Sequence, residues 1–339
     1  MKRKIVKAEI LWTRKCPLKC EYCAMADGRK NTVSLKNWVI GFDNLKTLGC
    51  SFAAFYGAEP LEDFKKLPSV IQYAESIGIH TTVITSSVTS SLEEKLKTLY
   101  DYGLRSITTS FDEVSDDKSS QIKSSKALET IEMFRSFGPI RDSAVVVTLT
   151  RANYKNLPSI VTKMTGEGIW TFFDFIHPDR GQPGSKVKNA NPDLLFGAED
   201  LKPLLEVLQK CLELKDKGYL FHTSKEFVDM VKLVFSYASM YHVPNSVYRM
   251  WNCARHKCFP SWVTVDCDGI VYPCDDFQPK TVLNVPIWEL ASSWHDFSKS
   301  WKASVLAECP GCLWNTHIDS HYIKLGFIPI TNYVHGITK

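Results

Sequence analysis

Between residues 5 and 176, short β-rich runs alternate with amphipathic helical stretches, and this alternation constrains the fold more than any other feature. It predicts strands at roughly 5–13, 51–56, 80–85, 105–111, 143–149 and 170–176. Helices near 34–48, 61–77, 91–102, 120–137 and 154–166 lie between them, the first capped by Ser34 and stopped by Gly49. Strands separated by helices pair in parallel, so runs such as Val145-Val146-Val147 predict an α/β sheet wrapped by helices. Six units rather than eight predict a partial (β/α)6 TIM-like barrel, whose active site belongs at the carboxyl ends of the strands. Two further helices are expected near 199–217 and 224–241. A change of composition after Asn245 then introduces a small C-terminal hairpin and helix. The expected divisions are a barrel over 1–195, a helical connection over 196–250, and a small extension with tail over 251–339.

The loop after the first strand carries Cys16-Pro-Leu-Lys-Cys20-Glu-Tyr-Cys23. Three close thiolates hold three irons of a cubic iron–sulfur cluster and leave the fourth iron open to chemistry. A zinc site normally takes four ligands and a disulfide framework an even number, so both fit less well, although short cysteine runs occur in zinc proteins too. The amino terminus lacks the apolar core of a signal peptide and no stretch is long enough to span a membrane, so a cytoplasmic protein is expected. In that compartment the eleven cysteines read as metal ligands. A net charge of +4 over 339 residues gives no case for a nucleic-acid surface.

Tyr56-Gly57-Ala58-Glu59-Pro60 closes the second strand, one βα unit after the cysteines. With C-x3-C-x-aromatic-C, in which Tyr22 is the aromatic, this resembles the radical S-adenosylmethionine (SAM) enzymes, whose strand ends in Gly-Gly-Glu-Pro. The resemblance implies a [4Fe–4S] cluster on Cys16, Cys20 and Cys23 whose open iron chelates the amino and carboxylate groups of SAM. Gly57, Ala58, Glu59 and Pro60 would help hold the amino group. The departure at Ala58 matters only if that position needs a positive φ. Ser110 and Asp112 end the fourth strand where the family approaches the SAM ribose; capping of the next helix is the other reading. Capping is expected of Ser86 and Thr150. The apolar strand 172–176 is a candidate wall for the adenine. His177, at the start of a breaker-rich loop over 177–192, is a candidate base or a structural residue.

Six cysteines fall between 253 and 312. Cys258 and Cys274 bracket a hairpin turning at Asp268-Gly269, and Cys309-Pro-Gly-Cys312 follows at a distance. This resembles the auxiliary-cluster extension of radical SAM enzymes in its short form, the twitch domain. The longer SPASM form would need further cysteines after Cys312. The resemblance implies one auxiliary iron–sulfur cluster, of [4Fe–4S] type, on Cys258, Cys274, Cys309 and Cys312, with Cys253 able to replace one of them. A structural zinc on the same thiolates is the rival. Cys267 is left out of the set, and Cys50 and Cys211 read as buried core. Asp275 stands where related sulfatase-maturating enzymes carry a proton-accepting aspartate, or else it orders the loop.

The resemblance implies reductive cleavage of SAM by an external one-electron donor such as flavodoxin or ferredoxin, then hydrogen-atom abstraction from substrate. Oxidation through the auxiliary cluster or rearrangement would follow. Because the chain starts almost at the first strand, a small molecule derived from a sugar, nucleoside or amino acid is expected. A maturase of a ribosomally made peptide is the alternative. A non-catalytic iron–sulfur or zinc scaffold is the alternative of another class.

Overall fold

The computed structural model describes residues 5–23, 25–113, 118–176, 192–237, 262–272 and 282–308. Six strands follow one another in sequence and in space: β1 (Lys7–Leu11), β2 (Phe52–Tyr56), β3 (His80–Thr85), β4 (Ser106–Ser110), β5 (Asp142–Leu149) and β6 (Trp170–Phe175). All pair in parallel. The crossovers run through α1 (Leu35–Thr47), α2 (Leu67–Ser76), α3 (Leu92–Asp101), α4 (Lys118–Ser136) and α5 (Leu157–Gly166). The expected partial barrel is therefore present. Ser34 caps α1 by accepting from the Asn37 amide at 3.2 Å. Two helices start later than the sequence pattern suggests. Pro60–Glu62 and Tyr154–Asn156 form separate 3-10 turns, while Pro68 and Pro158 sit in the first turns of α2 and α5, where a missing N–H costs nothing.

After α6 (Leu201–Asp216) and α7 (Lys225–Tyr237), the chain returns to the sheet. β7 (Trp262–Val265) pairs in parallel with β1, Lys7 opposite Trp262 and Ile10 opposite Val265. β8 (Ile270–Tyr272) and β9 (Val285–Pro286) add antiparallel, giving nine strands in the order β6-β5-β4-β3-β2-β1-β7-β8-β9. The hairpin turn falls where Asp268-Gly269 places it: Gly269 has φ 83° and its amide donates to the Asp266 carbonyl at 2.8 Å. The last element among the described residues is α8 (Leu290–Glu308).

The two faces of the sheet do different work. Ala8, Ile10, Ala53, Phe55, Val145, Val147 and Phe173 pack outward into the helical layer. There Trp12, Trp38, Phe42 and Phe55 form a continuous aromatic cluster. The inner face carries Glu9, Ala54, Thr82, Thr108, Ser110, Thr148 and Asp174 around a cavity of about 340 Å³. A closed eight-stranded barrel fills its interior with branched apolar side chains. Here polar side chains share the inner face with Phe52, Ile84, Val146, Trp170 and Phe172, and the interior stays open.

Candidate active site

Cys16, Cys20 and Cys23 all line this cavity, on the loop that leaves the carboxyl end of β1. The loop is closed by backbone bonds between its two stems, Arg14 N to Arg29 O at 2.8 Å and Gly28 N to Arg14 O at 2.9 Å. It is pinned to the next strand end by Glu59 N to Lys15 O at 2.8 Å. Burial pushes the Cys16 thiol up to about 12, so it keeps its proton at neutral pH unless a metal cation beside it inverts the preference. Among the described residues no three acidic, His or Cys side chains converge on a single ion. A cubic cluster makes no such demand, because each thiolate binds its own iron. The donor set and its cavity-facing placement fit such a cluster.

The segment after β2 is shaped by two unusual backbone angles. Gly57 has φ 96°, and a Cβ added there would lie 2.2 Å from Leu11 Cδ1, so only glycine fits. Ala58 also has a positive φ, 30°. The Ala in place of the family's Gly thus occupies a conformation that L-residues resist. Gly57 and Ala58 face the cavity. Pro60 turns away into its 3-10 turn, and Glu59 is fully buried. The Glu59 carboxylate accepts from Leu61 N at 3.1 Å, from Thr85 Oγ1 at 2.9 and 3.0 Å, and from Ser86 N at 2.7 Å and Ser86 Oγ at 2.5 Å. Its side chain therefore ties the end of β2 to the end of β3. Burial outweighs these bonds and holds its carboxyl above the usual range. Ser86, expected as a cap, serves this tie and also reaches the cavity wall.

A second buried carboxylate closes β4. The Asp112 side chain is bonded to Lys123 Nζ and to the Tyr22 hydroxyl, Lys123 also bonds that hydroxyl, and Asp112 Oδ1 accepts from Thr148 N at 2.8 Å. The Lys123 ammonium lies 5.0 Å over the Tyr22 ring. Burial works against the charge on Lys123, but attraction to Asp112 prevails and holds it above the usual lysine range. Tyr22, between Cys20 and Cys23, is thereby moored to the barrel wall. Asp112 is occupied by this mooring, whereas Ser110 lines the cavity and is available to a ligand. Thr150 stays outside the cavity and bonds Asn153 Oδ1 at 2.8 Å through its amide, the local turn role expected of it. Lys123 escapes a motif search. Its one signal is position: it shares the buried stripe Ser120, Lys123, Ala127, Ile131, Phe134 of α4.

Phe172, Phe175 and Ile176 form one apolar stretch of the cavity wall. Cys50, Cys211 and Cys267 are buried. Cys253, Cys258, Cys274, Asp275, Cys309, Cys312 and His177 lie outside the described residues. No helix among the described residues is long and apolar enough to cross a membrane.

A partial parallel barrel with three cysteines on its first loop and a glycine-tight turn on its second is the arrangement that the resemblance to radical SAM enzymes implies. Residues 10–157 match the family model for the radical SAM superfamily. Over 158 residues the chain is 28% identical to a PqqA peptide cyclase of Bradyrhizobium diazoefficiens, covering 44% of this chain and 40% of that protein. A PqqA peptide cyclase of Rhodopseudomonas palustris is 32% identical over 102 residues, 29% of this chain and 26% of that protein. The chain thus matches well under half the length of these curated relatives. Among solved structures, Streptococcus suis SuiB bound to S-adenosylmethionine superposes with a TM-score of 0.65 at 16% identity, covering 89% of this chain and 68% of that one. AnSMEcpe with bound AdoMet and Cp18Cys peptide superposes at 0.58 and 16% identity, covering 98% and 100%. At such identity the likeness is one of fold. SuiB has also been solved with its precursor peptide SuiA. The peptide substrates named for these proteins overturn the expectation that a small molecule is the more fitting partner. That expectation leaned on where the sequence begins, which carries no information about the substrate.

Proposed function

We propose that this protein is a radical SAM enzyme that modifies a ribosomally made peptide or protein. The observation carrying the proposal is that Cys16, Cys20 and Cys23 all line one open barrel cavity. Relatives named as peptide cyclases, and fold neighbours solved with peptides bound, support this substrate class. When bound, the cluster and SAM supply a 5′-deoxyadenosyl radical that takes a hydrogen atom from an unactivated carbon. The chain's own residues do the rest. Tyr22, Asp112 and Lys123 hold the cysteine loop against the barrel. Gly57 and Ala58 bring backbone to the cavity surface, Ser110 and Thr148 offer hydroxyls, and Phe172, Phe175 and Ile176 exclude water from one wall. One auxiliary iron–sulfur cluster on Cys258, Cys274, Cys309 and Cys312, with Cys253 in reserve and Asp275 as proton acceptor, completes the reading. It gives the substrate radical an oxidative or cross-linking exit. A low-potential flavodoxin or ferredoxin in the cytoplasm suits the electron supply.

The test is 5′-deoxyadenosine release by anaerobically reconstituted protein with SAM and dithionite, supplied with host extract split by mass. Stimulation by the peptide and protein fraction, lost in Cys20→Ala, is expected. Stimulation by the low-mass fraction alone overturns the substrate class, and absence of SAM cleavage in every fraction overturns the enzyme. Iron and zinc content of the Cys16→Ala/Cys20→Ala/Cys23→Ala variant separates an auxiliary cluster from structural zinc.

A further inference from the structure

The loop that carries the three cysteines is held by residues from the far end of the chain. Arg14, two positions before Cys16, is only 6% exposed, and Asp266, at the end of β7, only 2%. They form a two-pronged pair, Nε to Oδ1 at 3.3 Å and Nη2 to Oδ2 at 2.8 Å, across 252 residues of sequence. Asp266 Oδ1 also accepts from Cys267 N at 2.7 Å, which fixes the carboxylate within its own turn. The other stem of the cysteine loop reaches the same point. Arg29 Nη2 lies 3.7 Å from Asp266 Oδ2, Arg29 Nε donates to Asp27 Oδ2 at 2.9 Å, and Thr32 N donates to Cys267 O at 3.0 Å. Gly269 packs so closely under this junction that an added Cβ would lie 2.8 Å from Val33 Cγ2 and 2.7 Å from Trp288 Cζ3.

A buried ion pair seldom adds net stability over an apolar pair of the same volume, whereas a two-pronged guanidinium–carboxylate contact fixes both distance and plane. The four charges also cancel locally, two arginines against two aspartates, so the junction orients the loop without adding net charge beside it. We infer that Arg14 and Asp266 are positioning residues. Through them the C-terminal hairpin sets the geometry of the Cys16–Cys23 loop, and with it the properties of the cluster that loop holds. The inference rests on the proposed cluster at Cys16, Cys20 and Cys23. It goes beyond that proposal by assigning the loop's alignment to a turn that carries none of the proposed ligands.

The experiment uses full-length protein with three substitutions: Asp266→Asn, Arg14→Lys and, as a control, Asp101→Asn in the exposed Lys97–Asp101 pair. In metal-free protein, hydrogen exchange is read at the Gly28 amide, which bonds the Arg14 carbonyl between the stems, and at the Thr32 amide, which bonds the Cys267 carbonyl across the junction. Both amides should exchange on the order of tenfold faster in Asp266→Asn while amides in β3 and β4 are unchanged. In reconstituted protein, the electron paramagnetic resonance spectrum of the reduced SAM-responsive cluster and its midpoint potential are read. Asp266→Asn leaves two arginines against one aspartate, so the potential should move upward and the SAM-induced spectral change should weaken. Arg14→Lys keeps the charge and loses the fork, so its spectrum should change with a smaller shift in potential. If Asp266→Asn fails to fold, Arg14→Lys decides alone. Spectra, potential and exchange identical to those of wild type and the control overturn the inference. A wild-type protein with no SAM-responsive signal overturns the proposed cluster instead.

Discussion

The strand ends at Glu59 and Asp112 both bury a carboxylate completely, and they accommodate it by different means. Glu59 is surrounded by neutral donors, two hydroxyls and two backbone amides. Asp112 has an ammonium, a phenol and one amide. The first arrangement links two neighbouring strands with residues adjacent to a recognisable motif. The second links the cysteine loop to a helix 101 residues away, with a charge that must be matched. At Glu59 burial outweighs the bonds from neutral donors and leaves the carboxyl reluctant to ionise, whereas at Asp112 the buried pairing with a cation makes both partners hard to lose singly.

The largest effect should come from Lys123→Met, which leaves Asp112 buried without its counter-charge. The expected cost is about 3–5 kcal/mol, read by denaturant unfolding of the metal-free protein. The double variant Asp112→Asn/Lys123→Met should recover much of that loss. If the single and double variants are equally unstable, the ionic account of this end is wrong. Next in size is Glu59→Gln, whose amide turns a donor toward groups that themselves donate, at a cost of about 1–3 kcal/mol. Its pH dependence sharpens the contrast. Because burial raises the folded Glu59 carboxyl, the folded state holds that proton more tightly than the unfolded state. The stability involved is fully present below the ordinary value of 4.5 and is lost as pH rises through the folded value. The cost of Glu59→Gln should therefore shrink as pH rises across that window. Lys123 behaves oppositely in range: its contribution holds through neutral pH and is lost only as pH rises beyond 10.5 through its raised folded value. The smallest effect has the other sign. Ala58→Gly removes the cost of φ 30° and adds chain entropy to the unfolded state, for a net gain of about 0.5–1 kcal/mol in the same unfolding assay.

Most of the sheet was legible because its signals are local. Strand and helix alternation, the Ser34 cap, the Asp268-Gly269 turn and the C-x3-C-x2-C loop each occupy a few consecutive residues. The Gly57 turn was legible through its motif, but the positive φ of Ala58 was not, since nothing in an alanine announces it. Pairings over long sequence distance were also hidden. Neither the zipping of β7 onto β1 nor the meeting of Arg14 with Asp266 leaves a periodic trace, and an arginine before a cysteine motif reads like any solvated charge. Lys123 was closer to view, since a lysine on an otherwise buried helical stripe demands a partner. The substrate class was misjudged for a different reason: it was inferred from the position of the first strand rather than from any group in the cavity.

The place of β1 in the sheet has a consequence for how the protein is made. Its neighbour on one side, β2, leaves the ribosome soon after it, but its neighbour on the other side is complete only with Val265. Through most of synthesis the first strand has one open edge, and the loop behind it lacks the residues that clasp its stems. Pairings this distant form late, after the local βα units. The stems of the cysteine loop are therefore clasped only after Val265 has been made, so the loop's alignment is a late event compared with the pairing of β1 and β2.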